Sequence, residues 1–272
     1  MFRKLLKHEL RATRGLLGAL SIAAASIGVL GGIVLRLLLM LPGNNTSENP
    51  MPGLAAAGLS TALGFMAMAL MAYGIAVQIY LYWRFYKHKF TDQGYLTFTL
   101  PVSCGEIWFS AYAGILIWTG ISAAVIVLSI FATVLIGAGE YILSPEVQKV
   151  FWEAWELFSF SEEASATAWI SVAVSLISVI TAPALTMGCI TLGAVLAKKH
   201  KILTAFALYY GINAALSFIQ SVMTVFLGLS TFTNPLLFYN ISLVLSCALQ
   251  VLLAAGGSWL CIWLTENKLN LP

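Results

Sequence analysis

Apolar and polar positions follow one another in long blocks along this chain rather than residue by residue. Six apolar runs, each longer than the roughly 18 residues that cross a bilayer core as helix, are separated by short polar intervals. They place membrane spans at 15–41, 54–82, 104–138, 166–197, 202–229 and 236–264. The runs are continuously apolar and lack the alternation of ~10-residue barrel strands, so helices are predicted. The expected fold class is all-α, a polytopic membrane protein forming one transmembrane domain over residues 1–272.

The polar intervals carry patterns of their own. Residues 1–14 set Phe2, Leu5, Leu6 and Leu10 against Arg3, Lys4, Lys7 and Arg11, which predicts a basic N-terminal interfacial helix. The apolar run behind it continues to Leu41, well past a 7–15-residue signal core, and predicts an uncleaved first span. Between spans two and three, Trp83 to Glu106 holds three cations, two acids, Gly94 and Pro101, and must lie outside the hydrocarbon. Its first residues, to Phe90, can continue span two as helix, and Ser103 with Glu106 three residues later forms a capping box that starts span three at Cys104. After span three, Ser144 as N-cap and Pro145 at the first turn open an outer amphipathic helix over 144–160. There Val147, Val150, Phe151, Ala154, Trp155 and Phe158 form an apolar stripe opposite Glu146, Lys149, Glu153 and Glu156. Pro183 interrupts the fourth run near its middle and predicts a reshaped turn, and the short KKHK interval predicts a tight hairpin between spans four and five.

Composition agrees with the blocks. The chain is 60% hydrophobic and 9% charged, which excludes an ordinary soluble domain. Its charges are sorted by side. With both termini in the cytosol, all of the 14 cations except Arg36 and Lys149 fall inside, and Glu48, Glu140, Glu146, Glu153, Glu156, Glu162 and Glu163 fall outside. The expected location is the plasma membrane, crossed six times.

Within the spans, Ala24, Gly28 and Gly32 recur every four residues and form a candidate helix-pairing row. Arg36 is the one charge inside an apolar run; it either snorkels to the outer surface or faces a polar path. Gln78, Asn213, Gln220, Asn240 and Gln250 are the other candidate path-lining residues, with hydrogen bonding between helices as the structural alternative. The four cysteines, Cys104, Cys189, Cys247 and Cys261, show no paired spacing and read as reduced packing residues. Motifs of catalysis are missing: there is no phosphate loop, no His-Glu-x-x-His, no Gly-x-Ser-x-Gly and no cluster of carboxylates or histidines in a span. The reading is therefore of a protein that is not itself an enzyme, with no catalytic residues, no metal site and no nucleic-acid partner.

The inner string Gly94-Tyr95-Leu96-Thr97-Phe98-Thr99-Leu100-Pro101-Val102-Ser103, preceded by Arg84-Phe85-Tyr86-Lys87 and Asp92, resembles the cytosolic segment of bacterial type-2 ATP-binding-cassette transporter permeases, particularly those of Firmicutes. Leu5 to Thr13 and the closing Lys268-Leu269-Asn270-Leu271 are similar to that group too. The resemblance implies a permease subunit of an exporter for amphipathic substrates such as antimicrobial peptides. It implies no cofactor on this chain; ATP and Mg would sit on separately encoded ATPase subunits. It also implies a second permease copy or a related permease as partner within the lipid bilayer. The segment 83–103 would couple to the ATPase through Phe90, Thr91, Asp92, Gln93, Gly94, Tyr95, Leu96, Phe98, Leu100 and Pro101. Gly94 is expected to supply a backbone conformation that a branched residue would strain. An ion-coupled carrier or channel and a non-transporting scaffold are the alternatives from other classes.

The charge asymmetry makes the topology testable: an impermeant amine reagent should reach Lys199 in inside-out vesicles only, and labelling from intact cells would reverse the assignment.

Overall fold

In a computed structural model of the chain, the six runs form six helices: α1 Phe2–Met40, α2 Met51–Phe90, α3 Cys104–Ile142, α4 Glu162–Leu196, α5 Lys201–Ser230 and α6 Pro235–Asn267. The structure describes residues 2–40, 51–91, 94, 102–142, 144–145, 148–150, 152–153, 156, 162–197, 200–230 and 235–267. Among them there is no β-strand, and all six helices are long and apolar enough to cross a membrane. The chain is thus an all-helical, multi-pass membrane protein.

Several helices outrun the spans expected for them. Residues 2–14 are not a separate interfacial element: α1 is one helix of 39 residues, which at about 1.5 Å per residue is roughly 60 Å long. No proline lies between Phe2 and Gly15, the Thr13 hydroxyl turns back to the Glu9 carbonyl of its own helix at 3.0 Å, and an amphipathic pattern describes faces, not a bend. α2 likewise carries its helix through the basic aromatic end to Phe90. At the start of α3 the Glu106 N–H donates to Ser103 Oγ at 3.3 Å, which satisfies one of the N–H groups left over at a helix start. Of the expected outer helix at 144–160, the described residues 145, 148–150, 152–153 and 156 are helical, and the Gln148 N–H closes a turn on the Ser144 carbonyl at 3.1 Å. Val147, Phe151, Ala154, Trp155 and Phe158 lie outside the described residues. α4 runs through Pro183 without a gap in its helical assignment.

Surface apolarity fits a lipid solvent. On α2, Phe65, Met68, Met71, Ile75, Ile79 and Trp83 follow one another at three- and four-residue spacing, each more than half exposed. Such a stripe would be a liability in water, and in a bilayer it faces hydrocarbon and ends on a tryptophan suited to the headgroup level.

The chain divides into two compact units, one of Lys7–Leu81 with Ile117–Ala154 and the other of Met1–Leu6, Tyr82–Leu116 and Trp155–Pro272. In the first unit α1 and α3 run parallel: Ser129 of α3 donates to the Ala24 carbonyl at 3.2 Å, and Thr133 to the Gly28 carbonyl at 2.8 Å. Between them in sequence, α2 is antiparallel to both, with Ser21 and Tyr73 hydroxyls 2.9 Å apart and Gln78 donating to Thr119 at 3.1 Å. The second unit repeats that scheme. There α4 and α6 are parallel, in register from Thr167 with Asn240, through Ser178 with Gln250, to Met187 with Cys261. α5 turns back on α4 where Gly193 meets Ala205: a Cβ on that glycine would stand 2.6 Å from the Ala205 backbone.

Candidate functional site

The segment between α2 and α3 is anchored at both ends. Phe85 and Phe90 are buried and meet edge to face at 5.8 Å, Tyr86 packs on Phe90 at 6.3 Å, and Lys89 is buried as well. Past the helix, the Gly94 N–H donates to the Thr91 carbonyl at 2.7 Å, a turn whose glycine is buried. Gly94 is helical and no described glycine has a positive φ, so it does not adopt the strained backbone expected of it. Its lack of a side chain at a buried turn is the property that remains. On the α3 side Ile107, Trp108 and Ala111 are buried, Cys104 lies beside Thr265 and Glu266 near the end of α6, and Trp108 lies beside Cys261. Force applied to the segment therefore meets packed helix ends on both sides. Of the expected coupling residues the structure describes Phe90, Thr91 and Gly94; Asp92, Gln93, Tyr95, Leu96, Phe98, Leu100 and Pro101 lie outside the described residues.

The small-residue row of α1 lies against α3. Ala24 is 1% exposed, and a Cβ on Gly28 would stand 2.6 Å from the Ser129 backbone. One on Gly32 would stand 2.6 Å from Ile136, and one on Gly137 of α3 the same distance from Leu35. The facing row on α3 is Ser129, Thr133 and Gly137, again every fourth residue. It was visible in the sequence at the same spacing, but its hydroxyls hid it among ordinary polar residues of a helix. Close approach is what lets Ser129 and Thr133 reach carbonyls that α1 already uses internally.

The polar candidates divide by place. Arg36 Nη2 donates to Glu140 Oε1 at 2.8 Å near the C-terminal ends of α1 and α3, where the two side chains are 49% and 82% exposed. A pair so open contributes about 0–1 kcal/mol, and its exposure fits a headgroup-level contact more than a path inside the protein. Gln78, Asn240 and Gln250 join neighbouring helices, through Thr119, Thr167 and Ser178 respectively. Each such bond is worth about 0.6 kcal/mol in a bilayer. Asn213 and Gln220 stand apart. Both are exposed on α5, and among the described residues Asn213 bonds only back to the Tyr209 carbonyl of its own helix, at 2.8 Å. With Ser217 they form one exposed polar stripe at three- and four-residue spacing.

No protein-family model, no curated protein and no solved structure matches the chain.

The α1 row makes a stability prediction. Gly28→Leu should cost at least about 1–3 kcal/mol, the usual penalty of overpacking, because the added atoms meet backbone rather than a movable side chain. Gly18→Ala, whose Cβ would meet nothing within 4 Å, should be silent in the same thermal unfolding assay.

Proposed function

We propose that this chain is the membrane-spanning permease subunit of an ATP-binding-cassette exporter, moving an amphipathic substrate outward across the plasma membrane. ATP and Mg are handled by separately encoded ATPase subunits. The observation that carries this reading is the inner segment: the string that resembles the family's coupling region hangs between two helix ends that are buried rather than frayed. A docked ATPase can then move α2 and α3 as stiff levers. ATP binding closes the ATPases and displaces the segment Phe90 to Ser103, and the spans tilt to release substrate on the outer side. Both termini lie in the cytosol in this scheme.

The second permease is assigned to the stripe on α5. Hydrocarbon offers no hydrogen bonds to the Asn213 and Gln220 amides, and an amide both donates and accepts, so two copies of one stripe are complementary across a two-fold axis.

Two outcomes check this function. Gly94→Val with Tyr95→Ala should leave the protein inserted and folded while it no longer co-purifies with its ATPase and loses substrate-stimulated ATP hydrolysis; a variant that still binds and couples removes the reading. Ser217→Cys should give a covalent dimer in oxidised membranes, whereas Ile219→Cys, on the far side of α5, should stay monomeric on the same gel.

A further inference from the structure

α4 changes character at Pro183. From Ala166 to Ile180 its residues are exposed or half-buried, whereas from Thr181 to Gly193 most are buried, Met187 and Thr191 completely. Proline has no N–H, so the Val179 carbonyl loses its helical donor and the ring crowds that turn. One residue further, the Ile180 carbonyl accepts a hydrogen bond from the Tyr112 hydroxyl of α3 at 2.7 Å. On the other side of the proline, Thr186 Oγ1 donates to the Ala182 carbonyl at 2.9 Å, and Tyr82 from α2 lies beside that hydroxyl. A weakened turn is thus held by α3 on one side and flanked by α2 on the other.

The two tyrosines also bracket the inner segment in sequence. Tyr82 directly precedes Trp83, and Tyr112 stands on the second turn of α3 after Glu106. Tyr112 stacks on the buried Trp108 ring at 5.2 Å with 14° between planes, so its hydroxyl moves with α3 rather than swinging freely. Tyr82, Tyr112 and the Pro183 turn all belong to the same compact unit.

We propose that the Pro183 turn is a joint in α4, and that Tyr82 and Tyr112 are positioning residues that pass a displacement of the inner segment to the outer half of that helix. An unbroken helix resists bending, whereas a turn short of one hydrogen bond gives way at little cost. The Tyr112 hydroxyl grips the joint from α3 while Tyr82 of α2 flanks its other side, so a shift of one helix end against the other bends it. The inference deepens the proposed function and rests on it only for what moves the segment, an ATPase.

The test reads amide hydrogen exchange of the peptide Leu176–Leu185 in the full chain, in lipid nanodiscs without any ATPase. Gly94→Val, which adds bulk at the buried turn of the segment, stands in for the displacement; Gly94→Ala serves if the valine variant does not fold. Tyr82→Phe and Tyr112→Phe keep the rings and remove the hydroxyls. Tyr112→Phe should speed exchange roughly threefold, the size of one interhelical bond in a bilayer, and Tyr82→Phe should speed it by no more than that, with the global melting temperature little changed. Gly94→Val should also speed it, and should add nothing in the double phenylalanine background. Pro183→Ala, which restores the missing donor, should slow exchange and make it insensitive to residue 94. Additive effects in the double background point to local structure alone and overturn the proposal, as does an α4 peptide indifferent to residue 94. Because no ATPase is present, loss of the joint and loss of the exporter reading are separate results.

Discussion

Hydrocarbon cannot hydrogen-bond a backbone and does not press apolar helices together, and that constraint governs how this molecule is built. Every span must close its own backbone bonds, which is why the apolar blocks become unbroken helices of 30 to 40 residues. Association between them has to come from contact distance and from a few hydroxyls and amides. The first unit follows the contact route. Gly28 and Gly32 let α1 approach α3 until Ser129 and Thr133 share carbonyls with the helix ladder.

The second unit leans on polar side chains more. Thr167 with Asn240 and Ser178 with Gln250 pin the parallel pair α4 and α6 at two heights, and a close glycine at Gly193 joins α4 to α5 near their hairpin. α5 itself is the exception, for the amides of Asn213 and Gln220 lie on an exposed face of it. The buried ends of α2 and α3 make the complementary point, for there stiffness rather than openness is the useful property.

Much of this was legible in the residues because the bilayer leaves few options. Length of run and placement of charge are one-dimensional quantities, so the six spans and the Ser103 cap could be read directly. Pairing is not one-dimensional. The row Ala24, Gly28 and Gly32 marks a face but not its partner, and the matching Ser129, Thr133 and Gly137 lie about a hundred residues on. The same holds for Pro183: the proline announces a weak turn, whereas the tyrosine that holds it is 68 residues away. Two expectations failed for local reasons. Amphipathicity at residues 2–14 did not imply a break from the span, and Gly94 serves by being small, since its φ is not positive.

The parallel pairing of α1 with α3 also has a consequence in time. Donor and acceptor of the Ser129 to Ala24 bond are 105 residues apart, and neither helix can meet the other before α3 has left the ribosome. At about 5–20 residues per second, α1 waits for some ~5–20 s after synthesis with its glycine face uncovered. During that interval α2 is the only later span available to cover it, through contacts such as Ser21 with Tyr73. Assembly of the unit is therefore ordered by synthesis: an antiparallel hairpin forms first, and the close-packed seam is closed by the last helix to arrive.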